Sequence, residues 1–243
     1  MFLLRDIFSP ELFEKYRNEE LEKLYNDFQK KARDLKRDGH WEELENLEYR
    51  IFGHDVDKKH LFVFLSHSHK NLKYTMNLIS FLRKKYNVFV YIDSEDKTLP
   101  LKTSIRTAQV IKKKIEKCDR FIFLASKGAI ISKWCNWELG IGDTLKFPYD
   151  KLAFLAWRDT NLAYRNYTGN EYMEIYPFIV YTDGCGHDCC CVDEYFDKED
   201  VFDDEMEFNS GLKSMNVPRQ RGWYVRFKKG NTFVYKPLKE WLS

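Results

Sequence analysis

Five short runs of consecutive apolar residues punctuate the middle of the chain: LFVFL (61–65), VFVYI (88–92), RFIFLA (120–125), KLAFLAW (151–157) and PFIVY (177–181). None alternates apolar with polar. Each therefore reads as a strand covered on both faces, as strands of a parallel sheet are. Between the runs the period changes. Leu72, Met76 and Ile79 fall on one helical face, and Ile105, Ala108, Ile111, Ile115 and Cys118 fall on another. Strand and helix in alternation predict an α/β fold with a doubly wound parallel sheet.

The flanks differ from this middle. Residues 1–57 read as helical. Ser9-Pro10-Glu11 is a helix start, with a capping hydroxyl, proline in the first turn and an acid favoured by the helix dipole. Leu21, Leu24, Phe28 and Leu35 keep near a 3.6-residue stripe; after Gly39, Trp41, Leu44, Leu47 and Ile51 start a second one. A helical hairpin is expected there. Beyond 182 the chain turns acidic (DEYFDKEDVFDDEMEF), then gives two β-rich runs around Lys-Lys-Gly-Asn, a hairpin signal, and closes on PLKEWLS as a short helix. The expected organisation is a helical region at 1–57, a central domain at 58–185, and an extension at 186–243 with an acidic loop, a β-hairpin and a short helix. No internal repeat recurs at a fixed period.

Composition narrows the partners. With 243 residues, 44% of them hydrophobic, the chain can bury a sizeable core. Charged residues reach 32% but nearly cancel, leaving +2, so no electrostatic argument favours nucleic acid or an anionic membrane. No apolar run approaches a membrane span. The patch in MFLLRDIF is too short for a signal peptide and is broken by Arg5 and Asp6. A cytoplasmic protein with reduced cysteines is expected.

In an open parallel sheet, ligands bind beyond the carboxyl ends of the strands, where strand order reverses. The loops to inspect are SHSHKN (66–71), DSEDKTLPLKTS (93–104) and SKGAIISKW (126–134), the last running into a helix. They concentrate Ser, His, Asp and Lys. Early in that helix, SKWCNWELGIGD sets Glu138 among Trp134, Cys135, Trp137, Leu139 and Ile141. An i, i+4 pair shares one helix face, so the Trp134 indole and the Glu138 carboxylate can line the same cleft. GCGHDCCC (184–191) offers soft ligands, but not the paired C-x-x-C spacing of common zinc sites. His67 and His69 lack a second ligand group nearby. No metal is expected at the histidines, and Cys185–Cys191 reads first as a loop of reduced thiols, with a zinc site or a redox-sensing pair as the alternatives.

Three blocks carry a resemblance to a known family: FVFLSHSHKN (62–71), VYIDSEDKTLP (90–100) and FLASKGAIISKWCNWELG (123–140). In this order and spacing they resemble a bacterial TIR (Toll/interleukin-1 receptor) domain, over about residues 60–185. The resemblance implies a flavodoxin-like five-stranded parallel sheet of order 2-1-3-4-5, with its switch point between strands one and three. Many bacterial members cleave NAD⁺ at the nicotinamide–ribose bond, and the family's catalytic glutamate follows a tryptophan by four residues. That pattern falls on Trp134 and Glu138.

The resemblance thus implies Glu138 as the catalytic residue, with Ser66, His67, Ser68, Asp93 and Trp134 around the substrate. Asp93 opens a loop that in this family mediates assembly and gates the site. Asn71 stands where many bacterial members carry an aspartate. NAD⁺ would be the substrate and no cofactor would be needed. Products would be ADP-ribose, a cyclic isomer or an ADP-ribose conjugate, in antiphage defence signalling, with TIR–TIR self-association and a separate effector sensing the product. The alternative is a non-catalytic TIR scaffold. A nucleoside deoxyribosyltransferase-like enzyme is a further rival that the SKWCNWELG block fits less well.

Overall fold

The computed structural model describes residues 61–68, 72–93, 104–157, 171–182 and 218–243, with residues 7–8 and scattered positions between 17 and 38. Five parallel strands form where the apolar runs predict them: β2 (Phe62–Ser66), β3 (Phe89–Tyr91), β4 (Arg120–Ala125), β5 (Leu152–Trp157) and β6 (Phe178–Thr182). The strands lie in the order β3-β2-β4-β5-β6, with β2 flanked in parallel by β3 and β4. This is the expected flavodoxin-like arrangement, so the chain reverses its direction of travel across the sheet between β2 and β4.

The absence of alternation in the runs has a direct cause. On one face of the sheet, Val63, Leu65, Ile122, Leu124, Ala153 and Leu155 meet Leu78, Ile79 and Leu82 of α1 (Leu72–Tyr86). On the other, Phe64, Phe121, Phe123 and Phe154 meet Ile111 and Ile115 of α2 (Ile105–Lys117) and Cys135 and Leu139 of a later helix. Both sides of each central strand are dry, so both parities must be apolar.

α2 opens on a reciprocal cap: Ser104 Oγ accepts from the Thr107 amide, and Thr107 Oγ1 accepts from the Ser104 amide at 3.2 Å. Its buried stripe runs through Thr107, Ile111 and Ile115 to Cys118. Ile105, expected at the head of the stripe, is 80% exposed. At about 100° per residue it stands roughly 120° away from Ile111 around the helix axis, outside the covered face.

Three findings depart from the sequence expectations. Ile7–Phe8, inside the zone read as helical, forms a short strand β1 that pairs in parallel with Ala156 and Trp157. It takes up β5 beyond the point where β6 leaves it, because β6 pairs with β5 only at Phe154. Residues 126–134, read as a loop, contain a short helix α3 (Lys127–Ile131), capped by Ser126 Oγ accepting from the Ala129 amide at 3.2 Å. The hairpin β7 (Gly222–Lys229) and β8 (Thr232–Pro237) continues the same sheet, β7 running antiparallel to β6. Its two-residue turn starts at Gly230 with φ 59°, a backbone conformation that suits glycine.

The closing helix α5 (Leu238–Trp241) is tied to the amino end of β4. Arg120 donates to the carbonyls of Trp241 and Ser243, and Trp241 Nε1 donates to the Asp150 carbonyl at 2.6 Å. Positions 19, 23, 27, 30, 31, 34 and 35 are helical, within the first predicted helix. The Ser9-Pro10-Glu11 start, the second N-terminal helix and the acidic stretch 193–208 lie outside the described residues. No described helix is long and apolar enough to cross a membrane.

Candidate active site

Glu138 lies on α4 (Lys133–Lys146), whose start is fixed by Ser132 Oγ accepting from the Cys135 amide at 3.2 Å. The helix buries Cys135, Glu138, Leu139, Gly142 and Lys146, one stripe at helical spacing. Glu138 therefore belongs to the covered face. A Cβ at Gly142 would stand 2.9 Å from the Phe121 ring, so the missing side chain lets α4 lie close on the sheet. Lys146 anchors the far end, its ammonium donating to the carbonyls of Glu116 and Cys118 at the carboxyl end of α2.

This seating carries Glu138 to the carboxyl end of β2. Ser66, the last residue of that strand, donates its hydroxyl to Glu138 Oε2 at 2.6 Å. Glu138 is 1% exposed, and its other oxygen, Oε1, is buried with no hydrogen-bond partner among the described residues. Burial drives its pKa well above the usual carboxylate range, the charge of Asp93 adds to the rise, and the Ser66 hydrogen bond opposes it.

His67 follows Ser66 and is 2% exposed. Its Nδ1 lies 3.8 Å from Asp93 Oδ1, and its carbonyl accepts from the Cys135 thiol at 3.3 Å. Asp93, just past β3, is buried as well. Three strand-end or helix segments thus converge: Ser66 and His67 at the end of β2, Asp93 after β3, and Cys135 with Glu138 on α4. Ser68 is half-buried and backs onto α3, where a Cβ on Gly128 would meet Ser68 Oγ at 2.6 Å. Trp134 is half-buried, and its ring leans on Trp137 with centroids 5.0 Å apart.

The sequence candidates Ser66, His67, Asp93 and Glu138 are brought together, with Ser68 and Trp134 on adjoining turns. Sequence reasoning missed two contributors. Cys135 precedes Glu138 by three residues, a spacing that puts both on one face; its thiol is pushed up to about 11, chiefly by burial, and serves as a neutral donor. Gly128 gave no signal beyond being a glycine. Among the described residues no group of His, Cys, Asp and Glu is arranged to hold a metal ion. His69, Asn71, the loop 94–103 and the Cys185–Cys191 cluster lie outside the described residues.

Comparison with known proteins adds the family. Residues 63–158 match the family described as the TIR domain. Over this segment the chain is similar to TIR domains. The match runs from Val63 of β2 through β5 and with it takes in every residue assembled above. A curated relative, "Probable 3' cyclic ADP-D-ribose synthase ThsB'" of Bacillus cereus (strain MSX-D12), is 31% identical over 129 residues, 52% of this chain and 64% of the relative. The alignment thus spans just under two thirds of that protein's length.

Proposed function

We propose that this TIR domain cleaves the nicotinamide–ribose bond of NAD⁺ in bacterial defence signalling, with a cyclic ADP-ribose isomer as the leading product. The observation that carries the reading is Glu138, a carboxyl 1% exposed with one oxygen unpartnered among the described residues, at the carboxyl end of β2. Burying such a group without full compensation costs several kcal/mol, and a scaffold gains nothing from that cost. An enzyme does, because a buried acceptor acts more strongly on a developing charge than one in water.

The chemistry follows from the substrate. When the C1′–N bond of the nicotinamide ribose breaks, the electron pair leaves with neutral nicotinamide and the sugar gains oxocarbenium character. The ionised Glu138 is the group to accept a ribose hydroxyl through Oε1 and stabilise that cation, while Ser66 fixes Oε2. Trp134 lines the adjoining turn as an aromatic wall. A hydroxyl elsewhere in the same nucleotide captures the cation and loses its proton, giving a cyclic ADP-ribose; water gives linear ADP-ribose; an outside nucleophile gives a conjugate. The dry setting of Glu138 favours the intramolecular route, because water is the competing nucleophile. The likeness to the Bacillus cereus relative, a probable 3' cyclic ADP-D-ribose synthase, supports the same product class. Self-association through TIR domains and a separate effector that senses the product complete the proposed scheme.

The test is to incubate purified protein with NAD⁺ and resolve the products by chromatography and mass spectrometry. Free nicotinamide with a species 18 mass units below ADP-ribose, the loss of one water, is the predicted result. Intact NAD⁺ after incubation at high protein concentration, with self-association demonstrated, would favour the scaffold.

A further inference from the structure

Glu138 and Asp93 meet the end of β2 from different elements, α4 and the end of β3: Glu138 holds Ser66 at 2.6 Å and Asp93 stands 3.8 Å from the adjacent His67, and the two acids are 1% and 8% exposed. Both are acids, and two buried charges of one sign oppose each other. Among the described residues, the titratable groups around Glu138 are Asp93 after β3, His67 after β2, and Cys135 on α4 itself; Lys127 of α3 is exposed. Cys135 is a neutral thiol. His67 is the cation-capable member, and it stands beside Asp93 at 3.8 Å. Glu138 receives one described donor, the Ser66 hydroxyl, on Oε2. An ionised buried carboxylate is commonly stabilised by two or three donors.

The arrangement fits a single proton placed on Glu138 Oε1. Ser66 then donates to the carbonyl-like Oε2, Oε1 carries the hydrogen into the pocket, and Asp93 keeps its negative charge beside His67. We propose that Asp93 is a positioning residue that holds Glu138 protonated in the resting site, so that entry of a cationic ligand expels that proton. The balance is simple: neutral carboxyl plus cation gives carboxylate, bound cation and a proton released to solvent. The site would thereby favour an oxidised, positively charged nicotinamide nucleotide over its uncharged-ring counterpart before any bond breaks. This rests on the functional reading above for the ligand's identity, and on the buried Ser66–Glu138 and His67–Asp93 contacts alone for the resting proton.

The decisive experiment uses the full chain without ligand. Glutamate carboxyls are labelled with carbon-13, the Glu138 signal is assigned by its loss in Glu138→Gln, and its titration is followed by NMR or isotope-edited infrared. The wild type is expected to show a protonated Glu138 near neutrality. In Asp93→Asn the midpoint is expected to fall by at least one pH unit, a tenfold loss of proton affinity. Asp93→Ser serves where the asparagine variant does not fold, and the wild-type spectrum alone decides the resting state. An ionised Glu138 throughout pH 5–8, or a midpoint unmoved by the Asp93 substitution, overturns the inference. Because no turnover is read, a chain that leaves NAD⁺ intact still answers the question; an active chain with an unmoved midpoint defeats this inference and spares the functional reading. Calorimetry with nicotinamide mononucleotide, in buffers of different ionisation enthalpy, should show release of about one proton per bound ligand; binding without proton release would also overturn it.

Discussion

Ser66 and Glu138 are 72 residues apart in sequence, yet the Ser66 hydroxyl meets Glu138 Oε2 at 2.6 Å in the interior. One hydrogen bond joins the end of β2 to the helix across the switch point. A hydrogen bond to a charged group is worth about 1.5–3 kcal/mol. Ser66→Ala is therefore expected to lower kcat/KM for NAD⁺ cleavage by about tenfold to a hundredfold. Because this bond pulls the Glu138 pKa down, its removal should also move the acid limb of the pH–rate profile to higher pH. Nicotinamide release measured across pH checks both.

Stability should respond to Glu138 in the opposite sense from activity. Its folded-state pKa is raised, so the native chain holds a proton that the unfolded chain releases above about 4.3. Stability from this group is fully present below that value and falls as pH rises toward the folded pKa, by at most about 1.4 kcal/mol per pH unit. Glu138→Gln removes the penalty while keeping an acceptor for Ser66. Thermal unfolding is expected to show the variant more stable than wild type near neutrality, with the gain shrinking toward pH 4. A variant less stable than wild type at neutral pH would contradict the burial argument.

Much of this was readable in advance, and the physical reasons are specific. The runs at 61–65 and 120–125 announced central strands because both of their faces are covered. Glu138 was legible through the family resemblance, whose glutamate four residues after a tryptophan falls on this position; spacing alone would have left it an ordinary helix glutamate. Asp93 was legible as a loop start but not as a neighbour of Glu138, since that encounter depends on β3 lying beside β2. The two-residue β1 is too short for any periodicity to reveal. Ile105 misled because an apolar residue just past a cap continues the pattern by eye while standing off the covered face.

Two glycines of α4 should behave oppositely. A Cβ on Gly140 would have nothing within 4 Å, whereas on Gly142 it would press on the Phe121 ring at 2.9 Å. Gly140→Ala should stabilise by up to about 1 kcal/mol through helix propensity. Gly142→Ala should destabilise by about 1–3 kcal/mol through overpacking. Denaturant unfolding of the two variants measures the difference.

The helix Leu238–Trp241 is expected to be integral to the sheet. Trp241 is 1% exposed and bonds the Asp150 carbonyl, and Arg120 of β4 bonds the Trp241 carbonyl. Trp241→Ala should cost about 3–5 kcal/mol, read as a lowered denaturation midpoint in one cooperative transition. A separate early transition that leaves the β2–β6 core intact would show that the tail is an appendage.

The central claim is that the buried carboxyl of Glu138 performs the cleavage. Its most direct test compares nicotinamide release from NAD⁺ by wild type and Glu138→Gln at equal concentrations of folded protein. The account predicts a fall of at least about a thousandfold, equal to roughly 4 kcal/mol of barrier. A variant that keeps its rate within about tenfold of wild type would contradict it.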